Sequence, residues 1–231
     1  MQAIIIAGGK GTRLRPLADT TPKLLLKLKN KPLLDYIIDL LKKNDCDNII
    51  ICTRHLSEKI EEHVKKNNSD IPIRLSKENK PLGTAGALYL IKDMLEDEFL
   101  ILYGDVYTTI NLRKMFEFHK KKKAVVTAAI HRSEHPKDSN LVEFNSDARI
   151  TKILLKPHSE IPTKPYNLAA LYVVSRDIIK HLTPETPYDF EYDLLPKLLD
   201  ENMPIYAYNT SEFIMDIGTP ERLEKAGKIL K

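Results

Sequence analysis

The chain has no tryptophan, only two cysteines among 231 residues, and no apolar run approaching the ~18 residues that a membrane-spanning helix needs. Cys46 and Cys52 are too few for a disulfide framework and lack the CxxC spacing of a zinc or redox site, so both read as reduced thiols. The N-terminal stretch Met1-Gln2-Ala3-Ile4-Ile5-Ile6-Ala7 lacks the basic start of a signal peptide, so a cytoplasmic location without membrane partners is expected. Aromatic residues make up 7% and show no pattern of stacking platforms for single-stranded nucleic acid. Any excess of one charge is small as well: 36 Lys and Arg against 32 Asp and Glu leave a formal net charge of +4. That mild excess suits anionic small molecules and falls far short of the basic footprint of a nucleic-acid binder. Repeats, low-complexity tracts and interdomain linkers are absent too. What remains is ordinary for a folded globular protein, with 42% hydrophobic and 29% charged residues and a length near the upper limit for one domain.

The run Ala3-Ile4-Ile5-Ile6-Ala7 is continuously apolar rather than alternating, as in a strand covered on both faces, and it stops at Gly8-Gly9. Leu33, Leu34, Ile37, Ile38, Leu40 and Leu41 recur at helical spacing after Pro32. A second buried strand follows at Ile49-Ile50-Ile51, and then a helix from Ser57, an expected N-cap, through Val64. A short strand at 71–75, a loop at 81–86 and a helix over 87–95 lead to the central strand Phe99-Leu100-Ile101-Leu102-Tyr103, which ends at Gly104-Asp105. This alternation predicts a mainly parallel sheet with helices on both faces, and such sheets bind ligands beyond the carboxyl ends of their strands. The second half predicts a helix over 112–119, a strand over 124–130, a hairpin 141–144/150–155 around Asn145-Ser146-Asp147, and a strand over 168–174. A helix over 193–199, a strand over 205–208 and a helix over 220–230 complete it.

Immediately after the first strand stands Gly8-Gly9-Lys10-Gly11-Thr12-Arg13-Leu14-Arg15-Pro16. Glycines bring backbone N–H groups against phosphate oxygens, and Lys10, Arg13 and Arg15 supply charge. This is a phosphate loop by composition. It is not a dinucleotide fingerprint, because Leu14 stands where GxGxxG needs its last glycine, and no GxxxxGK[ST] is present.

Gly8-Gly9-x-Gly11-Thr12-Arg13-Leu14-x-Pro16, followed by Thr21-Pro22-Lys23 and Lys31-Pro32-Leu33, resembles the signature of sugar-1-phosphate nucleotidylyltransferases. Leu82-Gly83-Thr84-Ala85-Gly86, Gly104-Asp105 and Asp216-Ile217-Gly218-Thr219-Pro220-Glu221 agree with it in order and spacing, so the resemblance covers nearly the whole chain. It implies a Rossmann-like α/β nucleotidyltransferase fold with a mixed, mostly parallel sheet. The expected organisation is one domain over 1–231, with a nucleotide-binding half at about 1–110 and a sugar-binding half at about 111–231. The implied reaction converts a nucleoside triphosphate and a sugar 1-phosphate into a nucleotide sugar and pyrophosphate.

By the same resemblance Ala7, Gly8, Gly9, Gly11, Thr12 and Arg13, together with Gly83, Thr84 and Gly86, hold the nucleotide, with Arg13 on the phosphates that leave. Asp105 and Asp216 match an aspartate pair that holds Mg²⁺, which independently favours one or two carboxylates plus substrate phosphates. Arg13, Lys23 and Asp105 are the expected catalytic residues. Lys23, Lys156, Asn167 and Glu191 match positions on the sugar phosphate, although Leu155 stands where an acid usually precedes the lysine, and Ala169 where glycine is usual. Pro81 to Gly86 looks most like guanylyltransferases acting on mannose or heptose phosphates, while uridylyl and thymidylyl relatives share much of it. A related glycosyltransferase is disfavoured because Val106 and Tyr107 follow Asp105 in place of Asp-x-Asp. A catalytically silent, nucleotide-sugar-binding regulator is disfavoured by the intact Arg13, Lys23, Asp105 and Asp216. The chain ends directly after its last predicted helix, so the β-helix domain and acetyltransferase activity of some relatives are not expected. Self-association is left open.

Two further features carry no expected function. His131 and His135 have the spacing of a zinc pair, but Pro136 follows and the segment reads as a strand running into a loop. Lys120 to Lys123 read as a solvated helix end, favourable beside the C-terminal dipole.

Overall fold

The computed structural model describes residues 1–9, 11–67 and 69–229. Along the chain run β1 (Gln2–Ala7), α1 (Leu17–Thr20), β2 (Lys27–Leu28), β3 (Lys31–Pro32), α2 (Leu33–Lys43), β4 (Asn48–Thr53), α3 (Ser57–Asn67) and β5 (Ile73–Lys77). Then come α4 (Gly83–Leu90), β6 (Glu98–Tyr103), β7 (Val106–Thr108), α5 (Leu112–Lys122), β8 (Val126–Arg132), β9 (Leu141–Phe144), β10 (Ile150–Leu154) and β11 (Tyr166–Ser175). The path closes with α6 (Leu195–Asp200), β12 (Ile205–Asn209), β13 (Ile214–Asp216) and α7 (Pro220–Ile229). The chain forms two compact units: Met1–Pro81, Ile101–Ile110 and Glu212–Lys231 make the first, Leu82–Leu100 and Asn111–Ser211 the second.

In the first unit the strand order is β6-β1-β4-β5, with β4 parallel to β1 and β5 parallel to β4. Ala3, Ile4 and Ile5 of β1 and Ile49, Ile50 and Ile51 of β4 are all fully buried, which is why these strands are apolar without alternation. Leu33, Leu34, Ile37 and Leu41 form the buried stripe of α2. Two three-residue strands that periodicity does not reveal, β7 and β13, pair antiparallel with Asp216 opposite Val106. Ile217 N–H donates to the Asp105 carbonyl at 2.7 Å, so this ribbon brings two distant aspartates together.

In the second unit β8 and β9 both pair antiparallel with β11, β10 pairs with β9, and β12 runs parallel to β8. The α/β class with a mixed sheet is the expected one, and β8, β9, β10 and β11 supply antiparallel pairs within this unit. Local boundaries depart from expectation most clearly at α3 and α4. Ser57 is the first residue of α3 and its hydroxyl donates to Glu58 Oε1 instead of capping. The segment 83–86, expected as loop, is the first turn of α4, which ends at Leu90. Lys120 to Lys122 form the last turn of α5 and Lys123 is its left-handed C-cap, the helix end expected of this run. Among the described residues no helix is long and apolar enough to cross a membrane.

His119 on α5 is fully buried, its Nδ1 2.9 Å from Thr127 Oγ1 and its Nε2 3.9 Å from Glu98 Oε1. Burial, helped by Lys120, holds its pKa down at about 4. A histidine kept neutral on folding takes up its proton first in the unfolded chain, so stability falls as pH drops from the unfolded value of ~6.5 toward 4, by roughly 2–3 kcal/mol. Denaturant unfolding at pH 7 and pH 4.5 should show that loss in the wild type and a smaller one in His119→Gln; equal losses would contradict it.

Candidate active site

β1 delivers Ala7 and then Gly8 and Gly9 at the carboxyl end of the parallel strands of the first unit. Lys10 lies outside the described residues. Gly11 adopts φ +62°, and a single helical turn, Thr12–Leu14, follows it. Leu14 is fully buried against Ala18 and Leu26, which anchors the turn while Thr12 and Arg13 stay exposed. Glu78, just past β5, is 5% exposed, and its N–H donates to the Thr53 carbonyl at 2.9 Å. Its carboxylate closes on the glycine loop: a Cβ on Gly8 would lie 2.9 Å from Oε1.

Asp105 follows β6, and the Lys23 ammonium donates to its Oδ2. Arg222 Nη1 donates to Asp216 Oδ2 at 2.8 Å, whereas Asp216 Oδ1 is buried with no hydrogen-bond partner among the described residues. Arg13 reaches the same place, since a Cβ on Gly218 would sit 2.6 Å from Asp216 Oδ1 and 2.9 Å from Arg13 Nη2. Burial, then repulsion from Asp105, raises the Asp216 pKa against the pull of Lys23, Arg222 and Arg13. Two carboxylates that crowd each other, one oxygen of them orphaned, suit a divalent cation that completes its shell with substrate phosphate oxygens. Three or more His, Cys, Asp or Glu side chains are not grouped for a metal anywhere among the described residues.

The second unit gathers another set. Glu191 accepts from the Tyr172 hydroxyl and, at 2.6 Å, from Asn140 Nδ2. Burial pushes its pKa up, and those two hydrogen bonds pull it back down. Asn140 Oδ1 accepts from the Lys156 N–H at 3.1 Å, and the Lys156 ammonium reaches the Asp138 carbonyl at 3.0 Å. Asn167 Nδ2 lies 3.1 Å from His131 Nε2, and burial pushes the His131 pKa down. Gly83, Thr84 and Gly86 open α4 here, and the Ala85 and Gly86 N–H groups donate to the Tyr188 carbonyl.

Arg13, Lys23, Asp105 and Asp216 thus come together in the first unit, around the end of the Gly8 to Thr12 loop. Lys156, Asn167 and Glu191 belong to the second. Sequence reasoning missed Glu78, Arg222 and Asn140. Arg222 had a signal, a cation in the first turn after Gly218-Thr219-Pro220, with its N–H donating to Thr219 Oγ1 at 3.3 Å. Glu78 and Asn140 stand in no motif, and only the fold places them.

The nucleotidyl transferase family model matches residues 2–231. The mannose-1-phosphate guanylyltransferase catalytic subunit beta of Danio rerio is 32% identical over 96% of this chain and 62% of its own length. A UTP–glucose-1-phosphate uridylyltransferase of Synechocystis is 29% identical over 94% of this chain and 60% of its own. The chain therefore spans about three-fifths of the length of the curated relatives it matches. Among solved structures, HddC from Yersinia pseudotuberculosis aligns with a TM-score of 0.86 at 25% identity, covering 100% of this chain and 99% of HddC. The same protein has also been solved with GMP-PN, and that structure aligns at a TM-score of 0.84.

Proposed function

Because the chain belongs to the nucleotidyl transferase family, we propose that it transfers a nucleotidyl group from a nucleoside triphosphate to a sugar 1-phosphate, releasing pyrophosphate. The observation that carries this reading is the convergence of Arg13, Lys23, Asp105 and Asp216 beside a glycine loop at the end of β1. An oxygen of the sugar phosphate attacks the α-phosphorus in line as the bond to the bridging oxygen of the pyrophosphate breaks. No covalent intermediate on the protein is needed, so the residues position the reactants and offset charge. The Arg13 guanidinium presents a planar fork to the departing pyrophosphate. Lys23, held on Asp105, offers its remaining donors to the attacking phosphate, and Lys156, Glu191 and Asn167 are the residues assigned to the sugar phosphate. Asp105 and Asp216 would hold Mg²⁺, which supplies charge neutralisation at the phosphates.

Glu78 favours guanine. Adjacent N1–H and N2–H donors on the guanine edge suit a carboxylate, which accepts both, whereas uracil and thymine flank one N–H with two carbonyls that repel it. Charge-assisted hydrogen bonds of this kind contribute roughly 1.5–3 kcal/mol, so Glu78→Gln should cut the ratio of kcat/KM for GTP over UTP by ~10-fold or more. An unchanged ratio would remove Glu78 from base selection. The uridylyltransferase relative keeps UTP in the comparison.

The reaction class is tested by a pyrophosphate-release screen of five nucleoside triphosphates against a panel of sugar 1-phosphates. Release that requires both substrates, greatest with GTP and a mannose- or heptose-type phosphate, is expected. Release without the sugar phosphate, or with no pair at all, would overturn the proposal, the latter in favour of a silent nucleotide-sugar-binding regulator.

A further inference from the structure

Within the second unit, a line of hydrogen bonds starts on the motif segment 82–86 and ends on the carboxylate assigned to the sugar side. Thr84 Oγ1 donates to Asp189 Oδ2 at 3.0 Å and accepts from the Phe190 N–H at 2.7 Å. Its single proton and one lone pair are thereby committed to the segment 189–190. The backbone around it is committed in the same direction: the Ala85 and Gly86 N–H groups donate to the Tyr188 carbonyl at 2.9 and 3.2 Å, and the Tyr188 N–H returns to the Leu82 carbonyl at 2.8 Å. The Thr84 hydroxyl and the Gly86 N–H, two donors on residues that the motif associates with a nucleotide, are thus engaged by the protein itself.

Asp189 passes the constraint on. Its Oδ2 takes the Thr84 hydroxyl, while Oδ1 accepts the Glu191 and Tyr192 N–H groups at 2.9 and 3.0 Å, capping the wide helical turn Phe190–Leu194. Asp193 Oδ2 closes the cap by accepting the Asp189 N–H at 2.7 Å. From this turn Glu191 reaches the Tyr172 hydroxyl and Asn140 Nδ2, and Asn140 Oδ1 in turn holds the Lys156 N–H. A turn freed of its Asp189 cap would let the Glu191 carboxylate drift from both donors, and a misplacement of that size is enough to weaken a positioned substrate contact.

We infer that Thr84 is a positioning residue for the sugar side: through Asp189 it sets the turn that carries Glu191, and so governs affinity for the sugar 1-phosphate rather than for the nucleoside triphosphate. The inference rests on the placement of Glu191 at the sugar phosphate under Proposed function.

The test is steady-state kinetics of Thr84→Val, which keeps the shape and removes the hydroxyl, beside Thr84→Ser, which keeps the hydroxyl. Thr84→Val should raise KM for the sugar 1-phosphate by ~10-fold, with kcat and the triphosphate KM within about twofold, and Thr84→Ser should stay close to wild type. Asp189→Asn, the second variant on the same line, should give the same split between the two KM values. Glu191→Gln should raise the sugar-phosphate KM by itself, and adding Thr84→Val to it should cost nothing further, because the two act as one unit. A raised triphosphate KM with an unchanged sugar-phosphate KM in Thr84→Val would overturn the inference and leave the reading of Glu191 standing. An unchanged sugar-phosphate KM in Glu191→Gln would overturn that reading, and the inference with it. Additive effects in the double variant would show that Thr84 does not act through Glu191.

Discussion

Asn in place of Asp105 is expected to lower kcat by about 10²-fold or more while leaving the fold intact. Asp105 follows the fully buried run Phe99–Leu102, and its backbone is fixed by the bond from Ile217 N–H to its carbonyl, which Asn retains. Asn also keeps an oxygen for the Lys23 ammonium. What disappears is one of two crowded negative charges, and with it the repulsion that adds to burial in raising the Asp216 pKa. A divalent cation bound by one or two carboxylates loses much of its affinity when one becomes neutral. The loss should therefore be greatest at limiting Mg²⁺ and partly recovered at saturating Mg²⁺, with an unchanged thermal midpoint. Near-normal turnover at limiting Mg²⁺ would remove Asp105 from the metal site.

The second large effect is on stability. Gly83 has φ +76°, and a Cβ there would lie 2.3 Å from the Tyr188 carbonyl oxygen and 2.7 Å from its carbon. Left-handed backbone costs an L-residue roughly 1–2 kcal/mol, and overpacking against backbone that cannot turn aside costs a further 1–3 kcal/mol. Gly83→Ala should therefore lose about 2–5 kcal/mol, a fall in Tm of about 4–20 °C for a chain of this size. Gly9→Ala is the control, because no atom of the described residues lies within 4 Å of a Cβ there. Equal midpoints for the two variants in a thermal melt would show that the 184–190 segment yields to the added methyl.

These two positions mark what the sequence makes legible. β1, β4 and β6 are read from apolar runs because burial on both faces removes the polar alternation, and α2 from its stripe of Leu33, Leu34, Ile37 and Leu41. The meeting of Asp105 with Asp216 depends on the three-residue strands β7 and β13, too short to carry a period, so only the resemblance to a family puts the two side by side. Gly83 and Thr84 read as nucleotide residues from their motif. Their closest observed partners, Tyr188, Asp189 and Phe190, lie far along the chain and are invisible to any local pattern. Leu155, where an acid is usual, precedes a lysine that is instead tied through Asn140 to Glu191, a substitution of partners that spacing cannot show. Ala169, where glycine is usual, is buried beside Ala170, whose φ of +53° lies within the irregular stretch of β11 between Leu168 and Tyr172.

The most direct measurement of the reaction class follows the phosphorus. The triphosphate selected by the screen is supplied labelled with ³²P at the α or at the γ position, together with its sugar 1-phosphate, and the products are separated. Nucleotidyl transfer places the α label in the nucleotide sugar and the γ label in pyrophosphate. Finding the γ label in orthophosphate or on the sugar would mean hydrolysis or phosphoryl transfer, and would contradict a nucleotidyl-transfer role for Arg13, Lys23, Asp105 and Asp216.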